Sequence, residues 1–301
     1  MSVRYRLIRA VAKRMGFKKL FQLPRAELVA KAREMNQKRQ FQLPKSGKYN
    51  CADEVILGQY HCLRFFTQPR PAQRALLFLF GGGMLIGPDG MDWDVANEMG
   101  KESGRDVWFP YYPLCTDHSI SESYDMVFET YRKMVEIYGG ENIAVVGFSS
   151  GGALALGLCL HDNALGRPLP MPELVVACSP GAVPMTEAER ADMRALSPRD
   201  IMVDDAYMEP AGELMRHGRT VPDYMLNGTR GDFTGLPPIH LYYGGDEVLR
   251  AMAQPFQAAC AARGVDFRLT VGEGLCHCYP LMRYFPEGRQ ANREIIRLLR
   301  G

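Results

Sequence analysis

No uninterrupted apolar run in this chain approaches the roughly 18 residues needed to cross a bilayer. The N-terminus also lacks an apolar stretch followed by a small-residue cleavage site, so a soluble, cytoplasmic protein is expected and stable membrane insertion is not. Charge of one sign is equally scarce. With 36 basic against 34 acidic residues, the formal net charge of +2 gives no electrostatic reason to expect nucleic acid as a partner. The eight cysteines are scattered, which in a chain this long favours reduced thiols over a disulfide framework. Only Cys276-His277-Cys278 suggests a metal, and no second ligand pair at similar spacing accompanies it, so neither metal nor cofactor is expected. Internal repeats and low-complexity tracts are missing too. What remains is a 301-residue chain with 47% apolar content, enough to bury a substantial core in one or two domains.

The opening stretch "VRYRLIRAVAKRMGFKKL" puts Val3, Leu7, Val11 and Met15 on one helical face and basic residues over the rest. Such a helix can lie on an anionic membrane or dock on its own protein, and docking is the expectation. A second helical pattern, "RAELVAKAREMNQKRQ", follows, and Pro44 and Gly47 close the segment. Beyond it, short β-rich runs appear at "CLRFFT", "ALLFLF", "DVWFPYY", "NIAVVGF", "LVVACSP", "IHLYYGG" and "DFRLTV". Helical patterns at about 91–103, 120–137, 150–162, 250–263 and 289–300 fit the crossovers. The later runs do not alternate in polarity, so the class is α/β with a mostly parallel sheet covered by helices on both faces. Residues 183–233 break the rhythm with helical and polar residues and no strand, as a lid or insertion does.

The stretch "AVVGFSSGGALALGL" holds Gly147-Phe148-Ser149-Ser150-Gly151, a G-x-S-x-G between an apolar run and an opening helix. A nucleophile elbow needs this context, because the serine sits in a strained turn and the helix N-terminus behind it favours an oxyanion. Ser149 is the candidate nucleophile; Ser150 lacks the flanking symmetry. A base and an orienting acid must follow, acid first. Asp246 ends the run "IHLYYGG", and His277 lies in the loop after "DFRLTV". The other histidines fall within strands or helical segments or precede the serine. Glu247 is the alternative acid, passed over for Asp246 because it lies one residue further from the strand. Gly81, Gly82 and Gly83 end an earlier apolar run, where consecutive glycines let backbone donors approach a ligand.

Together the triple glycine, the boxed serine, "GLPPIHLYYGGDEVL" and "GEGLCHCYP" resemble the hormone-sensitive-lipase family of α/β-hydrolase esterases, over roughly residues 50–300. The resemblance implies Ser149, Asp246 and His277 as triad and the N–H groups of Gly82, Gly83 and Ser150 as oxyanion hole. It also implies a cap built from residues 1–45 and an insertion at about 183–230, on a catalytic domain of residues 46–301. Three positions depart from the family: Phe80 replaces its usual His before the glycines, Phe148 an Asp, and Ser150 an Ala. The implied function is a serine carboxylesterase acting on a small-molecule ester. An amide hydrolase with the same triad is the alternative, and a ligand-binding receptor on the same fold is the more distant one; a homodimer stays open. Met84, Leu85, Met208, Met215 and Tyr224 are expected to wall a closed apolar pocket, with Ile86, Met193, Met202, Tyr207 and Met225 nearby. Such a pocket favours short acyl chains, and no broad apolar surface for an oil interface is evident in the sequence.

Overall fold

The computed structural model describes residues 1–44, 47–67 and 72–301. The expected domain boundary between residues 45 and 46 therefore falls at residues outside the described ones. Eight strands form one sheet in the order β1-β2-β4-β3-β5-β6-β7-β8. They are β1 (Cys51–Ile56), β2 (Tyr60–Phe65), β3 (Ala75–Leu79), β4 (Asp106–Pro110), β5 (Ile143–Phe148), β6 (Leu174–Cys178), β7 (Ile239–Gly244) and β8 (Phe267–Gly272). The β1–β2 and β2–β4 pairs are antiparallel and every other pair is parallel. β3, β4, β5 and β6 are buried along their whole length, which is why their sequences read as unbroken apolar runs. β1 was missing from the sequence reading: at the sheet edge it carries Asp53 and Glu54 and buries only Ile56 fully.

Helices cover both faces: α1 (Val3–Met15), α2 (Arg25–Gln37), α3 (Gly90–Ser103), α4 (Ile120–Tyr138), α5 (Ser150–Ala164), α6 (Glu187–Leu196), α7 (Met208–Arg216), α8 (Asp223–Leu226), α9 (Ala253–Ala262) and α10 (Pro286–Arg300). Their starts are written locally. Capping boxes pair Asp89 with Asp92, Ser119 with Glu122 and Thr186 with Glu189, satisfying N–H groups that a helix leaves open. Between β6 and β7 the chain runs through α6, α7, α8 and short 3₁₀ turns. This insertion meets the N-terminal segment over the C-terminal strand ends: Lys18 Nζ lies 3.1 Å from Asp204 Oδ2, and the Phe21 and Tyr207 rings stand 5.0 Å apart.

α1 is docked by one face. Tyr5 is buried, its ring 4.8 Å from that of Phe285, and Arg9 Nη2 lies 2.9 Å from Asp246 Oδ2. The Val3, Leu7, Val11 and Met15 side chains point the other way, into solvent. The expected docking and an uncovered apolar stripe therefore coexist on one helix.

Candidate active site

Ser149 follows the last residue of β5 and precedes the first of α5. Its φ of 53° is a left-handed conformation that a side chain tolerates only under constraint from its surroundings. The constraint is the neighbouring backbone. A Cβ on Gly147 would lie 2.0 Å from the Gly151 carbonyl oxygen, and one on Gly151 would lie 2.2 Å from those of Leu79 and Phe80. Glycine at both positions is thus a condition for the turn to close and for α5 to press on β3. The turn is tied by the Ser149 N–H, which donates to the Cys178 carbonyl at 2.8 Å.

His277 Nε2 lies 2.9 Å from Ser149 Oγ, and its Nδ1 lies 2.5 Å from Glu247 Oε2. The structure therefore corrects the expected acid: Asp246 does not touch His277, and Glu247 does. Asp246 instead turns toward α1 and pairs with Arg9. Its neighbour is fully buried, and Glu247 Oε1 accepts hydrogen bonds from Ser179 Oγ at 2.8 Å and the Gly244 N–H at 2.6 Å. Ser179 Oγ in turn accepts the Cys278 N–H at 2.9 Å, which ties the acid and base loops together. Proximity to the strand is a poor guide here, because the two adjacent side chains diverge, Asp246 toward Arg9 of α1 and Glu247 toward His277.

Burial pushes the Glu247 carboxyl above its ordinary value, against the opposing pull of His277 and Ser179. For His277, burial acts to lower the pKa, but the contacts with Cys278 and Glu247 outweigh it and hold the ring proton more tightly than in free imidazole. Cys278 Sγ stands 3.5 Å from the same Nε2 that faces Ser149. Both ring nitrogens of the Cys276-His277-Cys278 triplet are thus engaged within the protein, and Cys276 Sγ turns to Met282 Sδ at 3.8 Å.

The glycine loop abuts the serine: a Cβ on Gly81 would stand 3.1 Å from Ser149 Cβ. Gly82 and Gly83 take φ values of 133° and 63°, and neither their N–H groups nor that of Ser150 donate to another backbone carbonyl among the described residues. No side-chain acceptor among the described residues takes these three N–H groups either. The loop is held from the lid, where the buried Tyr207 hydroxyl donates to the Gly83 carbonyl. It is also held from below. The Phe80 ring is 1% exposed and stacks on Tyr112 at 4.1 Å, while the Tyr112 hydroxyl donates to the Phe80 carbonyl at 2.6 Å. Stacking and a phenol thus stand where a histidine side chain could have anchored the loop by hydrogen bonds. Phe80→Ala is expected to destabilise the fold by roughly 3 to 5 kcal/mol, the usual cost of a buried ring. A urea titration measures it, and an unchanged midpoint would show that the ring is not needed for packing.

A cavity of about 390 Å³ opens on Ser149 and His277. Of the expected wall, Met84, Met208 and Met215 line it, as do Met202, Tyr207 and Met225. Ile86 lines it too, whereas Leu85, Met193 and Tyr224 do not. Leu85 is buried, with its carbonyl bound to Asn36 Nδ2 at 2.8 Å, and the Tyr224 hydroxyl sits 2.6 Å from His161 Nδ1. The sequence reading also missed the N-terminal contribution of Phe17, Leu20, Phe21 and Met35, four apolar side chains whose helical spacing carries no sign of what they face.

Residues 76–281 match the family Abhydrolase_3, described as alpha/beta hydrolase fold. This chain belongs to it, the hormone-sensitive-lipase family of esterases. Among family relatives, an acetyl-hydrolase of Streptomyces hygroscopicus is 26% identical over 242 residues, covering 79% of each chain. Esterase LipU of Mycobacterium tuberculosis is 28% identical over 240 residues, covering 76% of this chain and 78% of its own. Of solved structures, an esterase from the bacterial hormone-sensitive lipase family superposes with a TM-score of 0.81 at 21% identity, over 100% of this chain and 98% of that one. EstE5 soaked with p-nitrophenyl butyrate superposes with a TM-score of 0.80 at 18% identity, over 100% and 98%. Ser149, Glu247 and His277 lie in the loops after β5, β7 and β8, at the C-terminal strand ends where a parallel sheet gathers its functional groups. Among the described residues no helix is long and apolar enough to cross a membrane.

Proposed function

We propose that this esterase is a serine carboxylesterase that hydrolyses short-chain acyl esters through Ser149, His277 and Glu247. The observation that carries the reading is the unbroken hydrogen-bonded chain from Ser149 Oγ through His277 to Glu247, on the wall of an apolar cavity. Ser149 Oγ attacks the ester carbonyl while its proton passes to His277 Nε2. Glu247 keeps Nδ1 protonated and stabilises the imidazolium so formed. The carbonyl oxygen, now negative, lies among the N–H groups of Gly82, Gly83 and Ser150, each such donor being worth about 3 kcal/mol in the transition state. Collapse of the tetrahedral adduct breaks the carbon–oxygen bond to the alcohol, which leaves with the proton from Nε2. Water, deprotonated by His277, then attacks the acyl-serine; its breakdown returns the proton to Ser149 and frees the acid.

Substrate size follows from the cavity. Its 390 Å³ lies toward the small end of the range for small-molecule sites, and its walls are mostly apolar side chains, four of them methionines of the lid. Two comparisons support short acyl groups: one relative is named an acetyl-hydrolase, and the EstE5 crystals were soaked with a butyrate ester. The kcat/KM for p-nitrophenyl esters should climb over the first few carbons, by roughly 0.8 kcal/mol per methylene, and fall once the cavity is full. A series from acetate to palmitate tests this, and a maximum beyond about ten carbons would point to a lipase instead. The eight free thiols are in keeping with a reducing compartment such as the cytoplasm.

A further inference from the structure

The outward face of α1 has no use in the chemistry above. Val3, Leu7, Val11 and Met15 recur every four residues, 64%, 65%, 58% and 65% exposed, and the stripe runs on to Phe17, 49% exposed, in the 3₁₀ turn after the helix. Four of these five are large apolar side chains on a docked helix, whose inner face is already filled by Tyr5, Ile8 and Ala12. Solvent-exposed apolar side chains are ordinary when scattered, but a continuous file of them marks a contact surface. The charges that this segment itself carries are of one sign, and of them Arg9, Lys18 and Arg25 are paired with Asp246, Asp204 and Glu213. Residues 1–26 hold eight of the chain's 36 Lys and Arg residues and none of its 34 Asp and Glu residues. Arg4, Arg6, Lys13, Arg14 and Lys19 of this set are exposed. Five exposed cations that make no ion pair among the described residues thus share one short segment with the apolar file.

We infer that α1 docks this esterase on an anionic phospholipid surface, with the apolar file in the headgroup boundary and the basic side chains against lipid phosphates. Charge decides between occupants. A second copy pairing through the same file would set two wholly basic segments against each other, whereas an anionic bilayer complements both the apolar and the cationic parts. The long Lys and Arg stems can lie along the apolar layer while their heads stay in water. Phe17 belongs to both the file and the cavity wall, so docking brings one wall of the cavity toward the lipid, where apolar esters collect. The inference concerns location and does not depend on the triad.

Cosedimentation with phosphatidylcholine vesicles, with and without phosphatidylglycerol, tests it on the full chain. The expected result is binding to the anionic vesicles alone, lost at high salt. Lys13→Glu with Arg14→Glu should weaken it on the order of 25-fold or more, since each basic residue near the surface contributes roughly fivefold. Leu7→Asp with Val11→Asp should abolish it. Both double variants lie on the outward face, so hydrolysis of p-nitrophenyl acetate without vesicles should match the parent and report an intact fold. Absence of binding, equal binding to both vesicle types, or binding that survives both double variants overturns the inference. So does self-association of the parent in light scattering that Leu7→Asp with Val11→Asp removes, because the occupant is then a second copy.

Discussion

Ser149→Ala and His277→Ala are each expected to lower kcat by on the order of 10⁴ to 10⁶ while the protein stays folded. The size follows from the steps they remove. Without Oγ there is no acyl-enzyme, and without Nε2, 2.9 Å from that oxygen, nothing takes its proton. Loss of either should cost about as much as loss of both, because nucleophile and base act as one unit. The residual rate would come from binding and from the N–H groups of Gly82, Gly83 and Ser150, which neither substitution touches. Steady-state hydrolysis of p-nitrophenyl acetate, with circular dichroism to report folding, measures this. A serine-directed phosphonate should label Ser149 alone. Substantial activity in a folded Ser149→Ala protein would sink the assignment, and labelling at Ser150 would move the nucleophile by one residue.

Glu247→Gln should lower kcat by on the order of 10⁴, the cost of leaving a catalytic imidazole without its orienting carboxylate. Asp246→Asn should change it by no more than roughly threefold. The contrast rests on one difference in contact: Glu247 Oε2 is 2.5 Å from His277 Nδ1, whereas Asp246 meets Arg9 in a partly exposed ion pair of the kind worth about 0 to 1 kcal/mol. The pH profile adds a second readout. Activity needs neutral His277, so the acid limb of kcat/KM rises as that group loses its proton. The neighbouring carboxylate is one of the contacts holding its pKa well above the ordinary value. Glu247→Gln removes that contribution, the folded-state pKa falls, and the acid limb moves to lower pH. Asp246→Asn should leave the limb in place, because Asp246 is not among the groups that shift His277. An unmoved limb in Glu247→Gln together with a large loss in Asp246→Asn would restore Asp246 as the orienting acid.

Much of this architecture is legible before any coordinates. β3 to β6 announce themselves as apolar runs because helices bury both their faces, and Ser149 announces itself because its turn excludes a Cβ at Gly147 and Gly151. These are local requirements, met within a few residues or by the period of burial, so the residue types alone reveal them. His277 was reached by elimination among six histidines and chain order. The structure then brings it to Ser149 across 128 positions.

Other features have no local cause. β1 shows little fully buried surface because it lies at the sheet edge, so its period is faint. The cavity draws walls from the N-terminal segment and from the insertion between β6 and β7, more than 140 residues apart, and an apolar side chain looks the same in sequence whether it fills a core or faces a substrate. Asp246 and Glu247 make the point most sharply. As adjacent carboxylates after one strand they are nearly equivalent candidates in sequence, and the difference between them lies in partners supplied from afar. Arg9 of α1 draws Asp246 outward, while Ser179 after β6, the Gly244 N–H and His277 after β8 enclose Glu247. Local backbone sterics and burial periodicity determined the α/β class and the strained turn at Ser149 from sequence alone; the carboxylate that meets His277, the cavity walls and the uncovered face of α1 were decided only by tertiary packing, because each depends on which distant surface a side chain meets.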